Sequence, residues 1–69
     1  MHRRTRAVLD FLAVYIDRHG WAPTVREISD GCAISSTSVV VRHLERLADD
    51  GHIVRGTGSR MIRLTAKAR

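Results

Sequence analysis

Residues 24–51 decide the fold, and they read TVREISDGCAISSTSVVVRHLERLADDG. Thr24 and Glu27 make a T-x-x-E capping box, in which the threonine side chain accepts from the third helical N–H and the glutamate reaches back. A helix therefore begins at this point. Because Gly31 lies close to its end, we expect the helix to last barely two turns.

A turn and a longer helix follow. Residues 33–35 are predicted to form the turn, and Ser35 or Ser36 can cap a third helix that runs to about Asp50 and stops at Gly51. Its inner face is predicted to contain Val40, Leu44, Leu47 and Ala48. A short helix, a tight turn and a longer helix with a polar first turn are typical of the helix-turn-helix, which lays its second helix in the DNA major groove.

The chain before this unit predicts another helix. From about Thr5 to His19, apolar residues recur at the spacing of one broad helical face. They are Val8, Leu9, Phe11, Leu12, Tyr15 and Ile16. Gly20 supplies a stop, and Pro23 prevents a helix from running through the connector.

The chain after Gly51 predicts a β-hairpin. Residues 53–55 and 61–64 are expected to form two short strands, and the glycine-rich residues 56–60 join them. A polar tail begins at about Thr65, where we expect fraying. The fold class is therefore mainly α with a small hairpin (α+β): a three-helix winged helix-turn-helix in the order helix, helix, turn, helix, strand, wing, strand.

Length and composition restrict the function further. The 69 residues, 43% of them hydrophobic, allow one domain over residues 1–69, with a core at about residues 4–64 and a polar tail at 65–69. This length has no room for an enclosed catalytic cleft, so we expect no enzyme. The single cysteine excludes an internal disulfide, and no long apolar run predicts a membrane span or secretory signal. A cytoplasmic location fits best.

Positive charge is concentrated at the two ends of the chain. The net charge is +5, and all seven acidic residues lie between Asp10 and Asp50. Two basic flanks favour a polyanion as partner, because each lysine or arginine at a phosphate releases counterions. Charge alone fits a role in solubility equally well.

The outer face of the third helix is predicted to read DNA bases. It exposes Ser36, Ser38, Val39, Val41, Arg42, Glu45 and Arg46. Arg42 can donate twice to guanine, and valine methyl groups can contact thymine methyls. The predicted base contacts are Ser36, Ser38, Val39, Val41 and Arg42. Either valine could instead pack against the hairpin.

The hairpin loop has the composition of a wing. Glycine lets the backbone approach the duplex closely, and Arg60 near the tip is placed to reach phosphates or the minor groove. The predicted contacts to the DNA backbone or from the wing are Arg26, Thr37, Arg46, Gly58, Ser59 and Arg60. A basic hairpin can also be a solvated edge that blocks aggregation.

Other chemistry finds little support in the sequence. The four histidines and Cys32 lack metal-ligand spacing, so we expect no metal, cofactor or small-molecule ligand. Ser35, Ser36 and Ser38 have no base and orienting acid beside them, which argues against a nucleophile. His43 is expected to face a DNA phosphate or the hairpin.

Three motifs resemble the amino-terminal DNA-binding domain of the LexA repressor family. Residues 20–28 match its G-x-x-P-T-x-x-E-I pattern, residues 43–53 match H-L-x-x-L-x-x-x-G-x-I, and residues 59–64 match S-R-x-I-R-L. The resemblance covers roughly residues 4–64. It implies a winged helix-turn-helix that represses transcription by occupying an operator, with base contacts from the start of the third helix.

The sequence also departs from this family. LexA proteins typically present asparagine and glutamates where this chain has serine, valines and Arg42, so we expect a different target sequence. The loop between the strands is about one residue shorter. The family's carboxy-terminal peptidase domain, with its serine and lysine, does not occur in these 69 residues, so self-cleavage is not implied. An excised domain and a stand-alone protein both fit.

The leading hypothesis is sequence-specific binding of double-stranded DNA, by a homodimer at least on DNA, since one small module rarely supplies enough affinity. The alternatives are a winged helix that docks another protein and a nonspecific architectural DNA binder. Salt dependence and sequence preference would separate the three.

Overall fold

The computed structural model describes residues 2–58 and 60–68. Three helices are followed by a hairpin: α1 (Arg3–His19), α2 (Val25–Gly31), α3 (Thr37–Asp49), β1 (Ile53–Arg55) and β2 (Ile62–Leu64). The predicted winged helix-turn-helix is confirmed, and α1 begins two residues earlier than expected.

Local signals in the sequence set most helix ends. The capping box is confirmed, with the Glu27 N–H donating to Thr24 Oγ1 at 3.2 Å and the Thr24 N–H donating to Glu27 Oε1 at 2.8 Å. Gly20 and Gly51 both adopt left-handed backbone, with φ of 82° and 81°, and end α1 and α3 as predicted.

The start of α3 differs from the expectation in one respect. Ser36 occupies the N-cap position in extended conformation, but its side chain makes no capping hydrogen bond. The turn before it is closed from α2 instead, because the buried Ser29 hydroxyl donates to the Ile34 carbonyl and the Ile34 N–H donates to the Ser29 carbonyl at 2.9 Å.

One apolar core joins the helices to the hairpin. Its fully buried members come from all three helices and from β1: Val8, Leu9, Leu12, Ile28, Val40, Leu44, Leu47 and Ile53. The strands pair antiparallel with Ile53 opposite Leu64 and Arg55 opposite Ile62. The hairpin is thus anchored at its base by Ile53, and the wing projects from the core.

Residues 65–68 of the polar tail contact the segment that follows α3, and the expected fraying stays a prediction. Residues Ala66–Ala68 form a turn of 3₁₀-helix, the Thr65 hydroxyl donates to the Gly51 carbonyl, and the Lys67 ammonium donates to the Asp50 carbonyl. These two side chains join the tail to the two residues that follow α3.

His43 connects α3 to α1 and does not face the hairpin. Its Nδ1 lies 2.9 Å from the Oγ1 of the buried Thr5, which corrects the expected orientation toward DNA or the hairpin. Burial lowers the pKa of His43, and the positive charges of His2, Arg4 and Arg42 lower it further. The imidazole therefore holds the two helices together in its neutral form.

The close approach of the Phe11 ring requires glycine at position 31, a requirement that the end of a helix does not by itself impose. A Cβ atom at Gly31 would lie 2.2 Å from Phe11 Cε2, a ring that packs against the core from α1. Alanine has a higher helix propensity than glycine, by about 1 kcal/mol. Here the steric overlap outweighs this gain.

Gly31→Ala should therefore lower the free energy of unfolding by about 1–3 kcal/mol, the usual cost of overpacking. Urea unfolding followed by circular dichroism measures it. In a Phe11→Leu background, which removes the ring atoms nearest to Gly31, the same substitution should be neutral or stabilising. An equal loss in both backgrounds would contradict the steric explanation.

Stability should also fall when the solution is acidified through the ordinary pKa range of histidine. The pKa of His43 is lower in the folded chain than its value of about 6.5 in the unfolded chain, so the unfolded chain takes up a proton first on acidification. The stability that neutral His43 contributes is therefore fully present above about pH 6.5 and is lost as the pH falls below that value. The urea midpoint should decrease between about pH 7.5 and about pH 5.5. His43→Gln should reduce this decrease, whereas the control His19→Gln, at an exposed site, should retain it. A His43→Gln variant as pH-sensitive as the parent would rule the assignment out.

Candidate nucleic-acid interface

A groove lies between the start of α2, the first half of α3 and the wing. Its volume is about 520 Å³, and the lining residues come from three separate parts of the chain. They are Thr24, Val25, Arg26, Thr37, Ser38, Val41, Leu44, Arg55, Gly56, Gly58, Met61 and Ile62. The fold therefore brings together five predicted site residues, namely Arg26, Thr37, Ser38, Val41 and Gly58.

The orientation of α3 determines which of its residues face outward. Val40, Leu44 and Leu47 are fully buried, so the opposite side of the helix is presented to solvent. Ser38 and Arg42 are exposed there, as predicted from the helical spacing, whereas Ser36, predicted to be exposed, is half-buried. Thr37 is exposed as well. Ser38 and Arg42 are four residues apart and share one helical face.

The two valines are less exposed than the sequence indicated. Val39 and Val41 are both half-buried, and Val41 lines the groove together with Met61 and Ile62 of the hairpin. An apolar strip therefore runs along the floor of the groove. The hairpin lies beside Val41, a placement that the helical spacing alone cannot show.

The beginning of α3 is electrostatically unlike the beginning of α2. The first turn of α2 contains Glu27 and is capped by Thr24, whereas the first turn of α3 contains no acidic residue and its Ser36 makes no side-chain cap. Free N–H groups and the helix dipole give such a terminus a partial positive charge. The end of α3 that faces the groove therefore favours anions.

Arg55 lines the groove, although it was not among the contact residues predicted from the sequence. It is exposed on β1 and lines the groove with Arg26, which stands at the start of α2. The available signal was its position as the basic residue that ends a strand directly before the glycine loop. The two arginines place positive charge on both sides of the groove.

Arg60 does not extend freely from the wing. Its Nη1 donates to the carbonyl of the buried Ala22 at 2.9 Å and lies 2.9 Å from Glu27 Oε1. The sequence predicts that Arg60 reaches DNA, whereas in the structure its side chain is bound to the connector and to α2. Ser59, the neighbouring predicted contact, lies outside the described residues.

Glu27 accepts hydrogen bonds from several directions. Oε1 accepts from the Thr24 N–H, and Oε2 accepts from the Tyr15 hydroxyl at 3.1 Å. The pKa of Glu27 is lowered to about 2, first by the Thr24 N–H and then by Arg60, with a smaller effect of Tyr15. The carboxylate is therefore ionised at neutral pH and paired with Arg60.

Arg46, the remaining predicted contact, lies further along α3. Its Nε is 3.5 Å from Asp50 Oδ2, and the side chains are 69% and 39% exposed. Exposed ion pairs of this kind contribute about 0–1 kcal/mol, so Arg46 can leave Asp50 at little cost.

Two other kinds of site receive no support from the described part of the chain. Over residues 2–58 and 60–68, no cluster of three or more histidine, cysteine, aspartate or glutamate side chains could hold a metal ion. In the same residues, no helix is long and apolar enough to cross a membrane.

Comparison with known proteins agrees with this architecture. The family profile described as the LexA DNA binding domain matches residues 1–60. LexA repressor 2 of Geobacter sulfurreducens is 45% identical over 67 residues, which cover 96% of this chain and 33% of that protein. The LexA repressor of Roseiflexus sp. is 45% identical over 62 residues, or 88% of this chain and 28% of that protein.

The chain thus spans about a third of the length of the curated relatives that it matches. The profile match over residues 1–60 contains the three helices and the start of the wing. The resemblance inferred from the three sequence motifs is confirmed. This chain belongs to the LexA DNA-binding domain family.

Proposed function

We propose that this chain binds a specific double-stranded operator and thereby represses transcription. In this proposal, the first half of α3 enters the major groove and the wing lies on the DNA backbone or in the minor groove. The supporting observation is the groove that brings the start of α2, the exposed face of α3 and the wing onto one side of the domain. Two of its matched relatives are named LexA repressors.

The proposed base contacts are made from the first two turns of α3. Arg42 is exposed and its guanidinium matches the two acceptors of guanine in the major groove. Ser38, on the same face, can donate or accept at a neighbouring base. The partly exposed methyl groups of Val39 and Val41 suit thymine methyls, and Ser36 completes the set at the N-cap.

The proposed backbone contacts surround these residues. Arg26 and Arg55 line the groove, and the Thr37 side chain lies beside the uncapped start of α3. Arg46 can release Asp50 to reach a phosphate. Gly58, at φ 102°, holds the wing in a left-handed turn that other residues rarely adopt and lets the backbone approach the duplex.

We also propose that two copies bind one operator. A single module of this size offers about 600–1,000 Å² of contact surface, and specific binding usually requires more. Sedimentation of the chain with a selected duplex would show two copies per duplex. A complex with one copy would argue against it.

Selection of binding sites from a random duplex pool tests the proposed function directly. The selected duplex should bind at least about a thousandfold more tightly than bulk DNA, and its affinity should fall steeply with salt as arginines displace counterions. A steep salt dependence without sequence preference would indicate an architectural binder. If binding showed neither a sequence preference nor a salt dependence, a protein partner would be favoured.

Arg42→Ala should weaken binding to the selected duplex by about 1–3 kcal/mol and relax the preference at one base-pair position. Gel-shift titrations against duplexes substituted at each position measure both effects. Arg18→Ala, which removes an exposed arginine from the last turn of α1, controls for the lost charge. An equal loss of affinity for all duplexes would indicate that Arg42 contacts a phosphate and not a base.

A further inference from the structure

The position of the wing relative to α3 depends on more than the hairpin. The two strands contain three residues each, and isolated two-stranded hairpins are marginally stable in water. Next to the paired strands, the Gly56 N–H donates to the Met61 carbonyl and closes the base of the loop. The strands pack against the core through Ile53, Ile62 and Leu64, but residues 56–58 of the glycine-rich loop are exposed and lie outside this packing.

Arg60 supplies a second attachment at the returning end of this loop. Its guanidinium contacts the carbonyl of Ala22 in the connector and the carboxylate of Glu27 in α2. Glu27 is itself held by the Thr24 N–H and by the Tyr15 hydroxyl of α1. The wing is therefore tied to the connector, to α2 and, through Tyr15, to α1.

The alternative role for Arg60 is a direct contact with DNA. Both observed contacts are made by Nη1, so a phosphate would have to bind the remaining N–H groups of the guanidinium, directly beside the Glu27 carboxylate. Repulsion between this carboxylate and the phosphate would oppose binding. Arg26 and Arg55 already provide positive charge at the groove, and neither is paired with Glu27.

We propose that Arg60 is a positioning residue that holds the wing at a fixed distance from α3 through Glu27, and that it does not itself bind DNA. This inference rests on the proposed function of the groove. Pre-organised loops bind more tightly because less conformational freedom is lost on association. The wing and α3 thus contact the duplex as one rigid unit.

The two roles predict opposite effects of neutralising Glu27. Glu27→Gln keeps the capping box, which accepts glutamine at this position, but removes the carboxylate that holds Arg60. If Arg60 positions the wing, affinity for the selected duplex should fall roughly threefold to tenfold, the cost of ordering a few side chains. If Arg60 binds phosphate, releasing it and removing a nearby negative charge should tighten binding, which would overturn the proposal.

Substitutions of Arg60 complete the test. Arg60→Gln should weaken binding at least as much as Glu27→Gln does, because it removes the contact with Ala22 as well as the contact with Glu27. The double variant should be no weaker than Arg60→Gln alone, because the Glu27 contact is already lost in that variant. Arg60→Lys should also lose affinity, since one ammonium cannot reproduce a planar guanidinium shared between two acceptors. Full affinity of Arg60→Lys, or additive losses in the double variant, would overturn the proposal.

Asp17→Asn is the matched control for removal of an acidic residue. Asp17 is exposed on α1 and does not line the groove, so this variant measures the general gain from a more positive chain. Thermal unfolding of each variant shows whether it is folded at the temperature of the binding measurement.

Hydrogen exchange of the DNA-free chain separates failure of this inference from failure of the proposed function. In Glu27→Gln and Arg60→Gln, the amide of Gly56 should exchange faster, whereas the amide of Leu44 in α3 should not change. If the parent chain prefers no duplex, the proposed function fails. The exchange rate of the Gly56 amide still tests whether Arg60 holds the wing through Glu27. Unchanged exchange at Gly56 in both variants would overturn the positioning role.

Discussion

Burial of one side of α3 determines which side chains the domain presents at the groove. Val40, Leu44 and Leu47 are inaccessible to solvent and pack with Val8 and Leu12 of α1. Each fully buried aliphatic side chain contributes about 1.5–3 kcal/mol, so rotating α3 about its axis would be very costly. The face that contains Ser38 and Arg42 is therefore exposed because the opposite face cannot be.

The polar contacts around α3 refine this arrangement. Neutral His43 next to Thr5 links the middle of α3 to α1, and Ser29 closes the turn that leads into it. At its far end, Thr65 and Lys67 donate to the carbonyls of Gly51 and Asp50. Its beginning, in contrast, has no side-chain cap from Ser36. The helix is thus satisfied at the end away from the groove and left with free N–H groups at the groove.

The wing is controlled by a separate set of contacts. Ile53 anchors the base of the hairpin in the core, while Arg60 joins its outer part to Ala22 and Glu27. Glu27 therefore serves two purposes, since the same carboxylate caps α2 and pairs with the wing. A local signal for a helix start and a long-range contact of the binding surface coincide in one side chain.

The order of the elements and most of their ends could be predicted from the amino-acid sequence, because these depend on contacts within a few residues. The capping box of Thr24 and Glu27, the glycine stops and the apolar spacing of α3 all needed no tertiary information, and the three motifs were enough to identify the family. Tertiary structure decided the contacts between residues far apart in the chain. Arg60 and Ala22 are 38 positions apart, as are Thr5 and His43. Such contacts, like the overlap that excludes a side chain at Gly31, depend on how packed elements are placed in space, and periodicity and capping patterns contain no information about that placement.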